Sequence, residues 1–267
     1  MHYFPVSHSN LSAEHLGLFI ASQYALPGKL NCRLIKSGIN DTYRISGPKN
    51  SYVFRVYSLN WRTITEIEEE IRLLELLRSE HIPVSYPLAD SNGIYIQSFP
   101  APEGTRYGVL FSDAEGEKLH HYDADTHFQI GRIMARMHQT TLNLRLNRVT
   151  YTTDVLLKDP LKEISAFLPA GTEEFQFLQS LQHTLLNLLE SADTNQIRSG
   201  IVHLDIWFDN ININHQNQAT IFDFDFCGNG WLCLDLAYYM MQLVFVEKNE
   251  PSRSEKLASF FKGYASI

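Results

Sequence analysis

Hydrophobic positions in the first part of the chain alternate with polar ones in short runs, whereas in the second part they recur at helical spacing. Ser12 is placed to cap a helix from Ala13 to about Ala25, stopped by Pro27-Gly28. Leu30 to Ile45 alternates loosely around the turn Ser37-Gly38-Ile39-Asn40-Asp41, and Ser51 to Tyr57 (SYVFRVY) is a clear β-run. Thr65 to Arg78 reads as a helix with Ile67, Ile71, Leu74 and Leu77 on one stripe. Pro83 and Pro87 break the segment after this helix, and GIYIQSF and YGVLFSD add two strands. The pattern predicts a sheet of about five strands with one packed helix by about residue 112.

Beyond that point His127 to Gln139, Glu173 to Ser191 and Leu236 to Val246 are helical. Phe175, Leu178, Leu181, Leu185 and Leu188 make the stripe of the middle helix. The change of period implies an α+β chain of two lobes, a β-rich one over 1–112 and a mostly α-helical one over 113–267. The hinge is expected at Leu110 to Ala114, with a ligand cleft between the lobes. At 267 residues and 44% hydrophobic, the chain has enough apolar side chains for both cores.

Composition narrows the class. No apolar run approaches the ~20 residues of a membrane helix, and MHYFPVSHSNLSAEH lacks the basic and apolar blocks of a signal peptide. Cys32, Cys227 and Cys233 are odd in number and too few for a disulfide framework, which points to a reducing, cytoplasmic setting. A formal net charge of −8 argues against nucleic acid. It is compatible with a cationic small-molecule partner, but plain solubility is the favoured reading. There is no internal repeat, and nothing in the sequence reads out an oligomeric state.

The most informative stretch is VHLDIWFDNININHQNQATIFDFDFCGNGWLCLD, from Val202 to Asp235. His203, Asp205 and Asn210 stand as H-x-D-x-x-x-x-N, the spacing of a phosphoryl-transfer catalytic loop. Ile211 and Ile213 alternate with Asn212 and Asn214, HQNQ makes a turn, and Ala219 to Phe222 form a second β-run. That hairpin carries Asn210 at its entrance and Asp223 at its exit. Phosphoryl transfer needs a carboxylate to take the acceptor proton and hard oxygen ligands for the magnesium ions that neutralise the triphosphate. Asp205 fits the first need; Asn210 and Asp223 fit the second.

The order of these features resembles the aminoglycoside phosphotransferase and choline kinase superfamily over about residues 30 to 265. SGINDTY is similar to its abbreviated nucleotide loop, GRIMARMH (Gly131, Ala135, His138) to its central helix, and LDLAYYMM to the helix after the metal-binding aspartate. The resemblance implies a protein-kinase-like two-lobed fold, ATP or GTP with Mg2+ as cofactors, and a small-molecule hydroxyl acceptor. It implies Asp205 as base, with His203 ordering the loop rather than moving protons. Leu204 departs from the glycine usual there. Asp225 reads as a second metal or acceptor ligand or as a loop hydrogen-bonding group, since alternation puts it on the face of Asp223. Asp235 reads as an N-cap bracing the loop.

For the nucleotide, Gly38 and Asn40 shape a turn whose N–H groups would approach phosphates. Leu110 and Asp113 in the hinge would meet the purine. Arg55 stands where the family usually has a phosphate-binding lysine. Glu70, at 100° per residue, falls between Leu74 and Leu77 inside an apolar stripe, which is costly for a carboxylate without a partner. Arg55 is its natural partner, Glu66 a rival to Glu70, and Lys36 the fallback cation. Acceptor classes left open are an amino alcohol, an amino acid, a sugar or an aminoglycoside. Asp113, Glu115, Glu117 and Asp225 are candidates to meet an amine. A protein kinase is disfavoured because only a dozen residues separate Asp223 from Asp235 and no APE-like sequence is present. A nucleotide-binding scaffold stays open through Arg55. Family members usually continue past the segment FFKGY, so the sequence is consistent with a chain truncated at its C-terminus.

Overall fold

The computed structural model describes residues 9–26 and 28–267, so the helix stop read at Pro27 lies outside the described residues. Two compact units divide the chain. One holds the residues through Glu117 with Asn212–Gln216 and Thr220–Phe222; the other holds Lys118–Ile211, Asn217–Ala219 and Asp223–Ile267.

The first unit opens with α1 (Ala13–Gln23), whose Ser12 Oγ accepts the N–H of His15. Its strands are β1 (Asn31–Ser37), β2 (Asn40–Ser46) and β3 (Ser51–Tyr57), followed by α2 (Ile64–Ser79) and then β4 (Pro87–Leu88), β5 (Ile96–Ala101) and β6 (Gly104–Ser112). All pair antiparallel in the order β1-β2-β3-β6-β4, with β5 also on β6. The sixth strand, β4, escapes sequence reading because two residues opening on a proline carry no period; proline is tolerated at a sheet edge, where no ladder N–H is required. Tyr43, Ile45, Phe54, Val56 and Leu110 form the core with Leu16 and Ile20 of α1. Thr63 and Glu66 cap α2 reciprocally. The helix buries Ile67, Ile71, Leu74 and Leu77, and Glu70 on the same face is only 1% exposed.

The second unit is mostly helical: α3 (Ala124–Thr140), α4 (Asp159–Ile164) after a single π turn, and α5 (Glu173–Ser191), then β7 (Ser199–Val202). The hairpin of β8 (Ile211–Ile213) and β9 (Ala219–Ile221) comes next. Most of it belongs with the first unit, where Ile213 exchanges backbone hydrogen bonds with Glu117 and Ile221 with Pro83 and Ser85. β10 (Gly228–Trp231) returns antiparallel to β7, and α6 (Cys233–Val246) and α7 (Glu250–Tyr264) complete the chain. The α+β class, with strands first and helices after, is borne out. Two features differ from the sequence pattern. Of the α5 stripe only Phe175 is buried, while Leu181 and Leu188 are exposed, because α5 packs chiefly on the 154–164 segment. α7 carries no strong apolar stripe and the pattern does not predict it, although Asn249 caps it by accepting from Ser252 N.

α7 lies against α3 at very close range. A Cβ on Gly131 would stand 2.1 Å from the carbonyl oxygen of Phe260, and one on Gly263 2.0 Å from that of Phe128. Only glycine lets the two backbones meet. Gly131→Ala is therefore expected to destabilise the helical unit by about 1–3 kcal/mol through forced backbone displacement, read as a lower urea midpoint at unchanged slope.

Candidate active site

The loop after β7 is held from beneath by one carboxylate. Asp235, 1% exposed, accepts the backbone N–H of His203 at 2.9 Å and of Leu204 at 2.7 Å. It sits in the first turn of α6 rather than at its cap, which is Leu232, so it braces the loop without capping the helix. Burial works to raise its pKa, yet hydrogen bonds from His138 and from the backbone N–H of His203 hold it below the usual carboxylate range. An ionised Asp235 makes His138 Nε2 the donor across their 3.1 Å contact, and His138 Nδ1 lies 2.8 Å from Tyr264 Oη. Tyr264 Oη in turn accepts from Arg198 at 3.1 Å. The histidine of GRIMARMH and the tyrosine of FFKGY thus stand behind the loop.

Leu204 adopts φ 61°. A left-handed backbone costs a β-carbon-bearing residue about 1–2 kcal/mol, which gives the physical reason for glycine at this position in the resembling family. His203, 1% exposed, lies 4.3 Å from the Phe224 ring, and its Nδ1 accepts the N–H of Asp205. This is a loop-ordering contact.

Asp205 is half-buried. Tyr238 donates to its Oδ1 at 2.7 Å, and Asn210 Nδ2 donates to its Oδ2 at 2.7 Å and to its carbonyl oxygen at 3.0 Å. Its pKa is raised, first by burial and further by the charge of Asp223, against the lowering effect of Tyr238, His203 and Asn210. Asn210 directs its N–H groups to Asp205, so the amide oxygen is what it has left to offer a cation. Asp223 has φ 66° and ψ 64°, a left-handed conformation that aspartate tolerates better than most residues. Phe224–Phe226 form one 3-10 turn, so the strand alternation that placed Asp225 beside Asp223 does not operate. Asp225 is 3% exposed, and its carbonyl oxygen accepts from Arg148.

In the first unit Arg55 (8% exposed) donates to Glu70 Oε1 at 2.7 Å, and Tyr57 Oη joins them by donating to Oε2 at 3.2 Å. The Arg55 guanidinium also lies over the Phe111 ring at 4.9 Å. Glu66 is occupied by its capping box and Arg62. Gly38 lies in the β1–β2 turn without a left-handed φ, and a Cβ there would meet nothing. Asn40 Oδ1 accepts from Ser58 N, and Lys36 is exposed on β1. The strand runs past the expected hinge start: Leu110 is fully buried mid-sheet, opposite Phe54 and Leu88, and is a core residue rather than an open linker. Asp113 comes just after the strand and pairs with Arg44 at 3.1 Å.

Residues 31–267 match the model of a phosphotransferase enzyme family. The chain belongs to that family. An uncharacterized protein of Synechocystis sp. is 30% identical over 267 residues, covering 99% of this chain and 73% of its own length. Among solved structures, amicoumacin kinase hAmiN in complex with AMP-PNP, Ca2+ and Ami superposes with TM-score 0.79 at 21% identity, over 96% of this chain and 78% of that one. A microcompartment-associated aminopropanol kinase gives 0.75 at 22%, over 95% and 80%. The resemblance read from the motifs is borne out: the chain is a phosphotransferase with an alcohol group as acceptor.

Two contacts of this phosphotransferase had no assignment in the sequence. Tyr238 lies three residues after Asp235 in LDLAYYMM, and Arg148 lies in a loop with no motif. For Tyr238 the signal was the helical spacing, which puts it within one turn of the bracing aspartate. Tyr238 stabilises the ionised form of Asp205, so Tyr238→Phe should raise the Asp205 pKa further. Activity that needs the ionised carboxylate rises with pH through that pKa. The acid limb of the kcat/KM profile should therefore move to higher pH in Tyr238→Phe, with the plateau retained in part.

Proposed function

We propose that this phosphotransferase moves the γ-phosphoryl group of ATP or GTP onto a hydroxyl of a small molecule in the cytoplasm, with Asp205 as general base. The observation that carries this reading is the setting of Asp205: one oxygen held by Tyr238, the other by Asn210, with a pKa raised by burial. A carboxylate so restrained orients the acceptor hydroxyl and takes its proton as the oxygen–phosphorus bond forms and the bond to the leaving nucleoside diphosphate breaks. The reading assigns Mg2+ to Asn210 and Asp223, with Asp225 as a further ligand. The donor set suits it, since the Asp205 and Asp223 carboxylates repel in a half-buried setting and both candidate ligands offer oxygen. No group of three or more metal-binding side chains occurs among the described residues. Mg2+ commonly takes only one or two protein carboxylates and completes its shell with phosphate oxygens and water. When bound, the ion would neutralise charge on the β- and γ-phosphates.

The nucleotide phosphates fall to Arg55, fixed by Glu70, and to the turn of Gly38 and Asn40, with Asp113 near the purine. Gly38 needs glycine neither for its φ nor for packing against the chain, so its advantage lies in letting a ligand approach the backbone. The solved neighbours, amicoumacin kinase with AMP-PNP and Ca2+ and aminopropanol kinase, support nucleotide and divalent-metal use and a small acceptor. A net charge of −8 is compatible with an acceptor that carries an amine and with plain solubility.

The deciding experiment is a panel of small hydroxyl compounds assayed for Mg2+-dependent ATP consumption. Asp205→Asn is expected to bind nucleotide as the parent does and to turn over at least ~100-fold more slowly; equal turnover would remove Asp205 from the mechanism. Gly38→Ala should leave the melting temperature within the range of a neutral surface change, about 0.5 kcal/mol, while KM for ATP rises. An unchanged KM would detach the turn from the nucleotide.

A further inference from the structure

Beside the catalytic loop, in the second unit, lies a small aromatic-walled pocket. Trp207, two residues after Asp205, forms one wall; Tyr239 and Gln242 of α6 form another, and Gln242 is one helical turn beyond Tyr238. Three of its lining residues each carry a buried polar atom without a hydrogen-bond partner in the protein: Tyr122 Oη, His127 Nε2 and Trp207 Nε1. Tyr122 is 8% and His127 3% exposed, so bulk water does not serve these atoms. An orphaned buried polar group costs about 1–3 kcal/mol, and three in one place is a pattern that points to a ligand.

Two of the three are donors only, and the Tyr122 hydroxyl can donate as well as accept. An indole Nε1 only donates. His127 Nδ1 lies 2.7 Å from Tyr239 Oη, whose buried phenol proton finds its acceptor there; the reverse arrangement would leave that proton without one. Nδ1 therefore accepts, and neutral His127 carries its proton on Nε2. Burial and the nearby Lys256 charge lower its pKa to about 4, so it is neutral at pH 7. The carboxylate in the wall, Glu247, is already engaged by Lys256 at 2.6 Å, by Ser252 at 3.0 Å and by the N–H of Asn249 at 3.0 Å. The pocket thus offers donors from Trp207, His127 and Tyr122, while its one lining carboxylate is held by Lys256 and its neighbours, so a carboxylate finds partners there that an ammonium does not. Its space of about 30 Å3 is small, on the scale of one polar head group.

We infer that this pocket binds the carboxylate of the phosphoryl acceptor, with Tyr122, His127 and Trp207 donating to its oxygens. The acceptor is then a hydroxy acid or hydroxy amino acid rather than a simple amino alcohol. The inference rests on the phosphotransferase reading of Asp205 for the word acceptor, and on the pocket alone for the carboxylate.

The test uses two probes with the same three-carbon hydroxyalkyl arm, 4-hydroxybutyrate and 3-amino-1-propanol. Each is titrated without nucleotide into the full chain labelled at the indole nitrogens, with the Trp207 signal assigned by its loss in Trp207→Phe. 4-Hydroxybutyrate should move the Trp207 N–H resonance downfield and saturate, and 3-amino-1-propanol should leave it in place. His127→Phe and Tyr122→Phe should each weaken the carboxylate at least ~10-fold, the loss expected for one hydrogen bond to a charged group; the second variant serves if the first does not fold. No shift with 4-hydroxybutyrate up to about 100 mM would mean that water alone satisfies the three atoms, and an equal shift with the amine would mean that the pocket does not select charge. Either outcome overturns the inference. With no nucleotide present, failure here leaves phosphoryl transfer to be judged by ATP consumption.

Discussion

Two backbone N–H groups at the start of the catalytic loop have no strand or helix to receive them, and the carboxylate of Asp235 takes both. A buried carboxylate tolerates that place only while it is fully hydrogen-bonded. His138 supplies a further bond, Tyr264 orients His138, and Arg198 orients Tyr264. The constraint reaches outward from there. α3 brings His138 and α7 brings Tyr264, which requires the two helices to approach backbone to backbone at Gly131 and Gly263. It also reaches inward, because the braced loop must turn through a left-handed Leu204 before it can present Asp205. A strained residue persists only where its surroundings over-determine it, and here the bracing carboxylate does so.

The first unit solves a comparable problem with ion pairs. Arg55 and Glu70 are both buried and bonded at 2.7 Å, and Arg106 and Asp41 are likewise buried and bonded at 2.9 Å. Such pairs contribute little net stability, yet removing one partner costs about 3–5 kcal/mol because a buried charge is left alone. Their effect is to fix geometry. Arg106 also donates to the carbonyl oxygens of Tyr57 and Ser9, and Asp41 accepts from Ser37 and Asn10. The turn that holds Gly38 therefore projects from a base with little freedom, the condition a phosphate-cradling backbone needs.

Much of this is legible in the chain alone. A β-rich run locates β3, and a period-3.6 stripe locates α2, whose stripe is buried, and α5. Glu70 announces a partner because a carboxylate inside an apolar stripe is too costly alone, and Arg55 is that partner. Local pattern fails where a residue's surroundings come from far along the chain. The α5 stripe looks like a core face but remains largely exposed, and α7 shows no strong stripe although it buries Phe260 and meets α3 backbone to backbone at Gly131 and Gly263. Leu110 looks like a linker residue because nothing in the run LFSDA marks where the strand ends.

At the site the division is the same. Chemical type and spacing along the chain are enough to single out His203, Asp205, Asn210 and Asp223, since a loop and a hairpin are short-range structures whose residues must be close in sequence. The contacts that tune them are long-range. Tyr238 reaches Asp205 across 33 positions, and His127 meets Tyr239 across 112. No periodicity records such a meeting, because it depends on how helices pack and not on what either segment prefers. Residue type and spacing set the class of enzyme and the groups able to do its chemistry. Packing set the raised pKa of Asp205, the 3-10 turn in place of a strand after Asp223, and the donor-lined pocket, since each depends on groups distant in the chain.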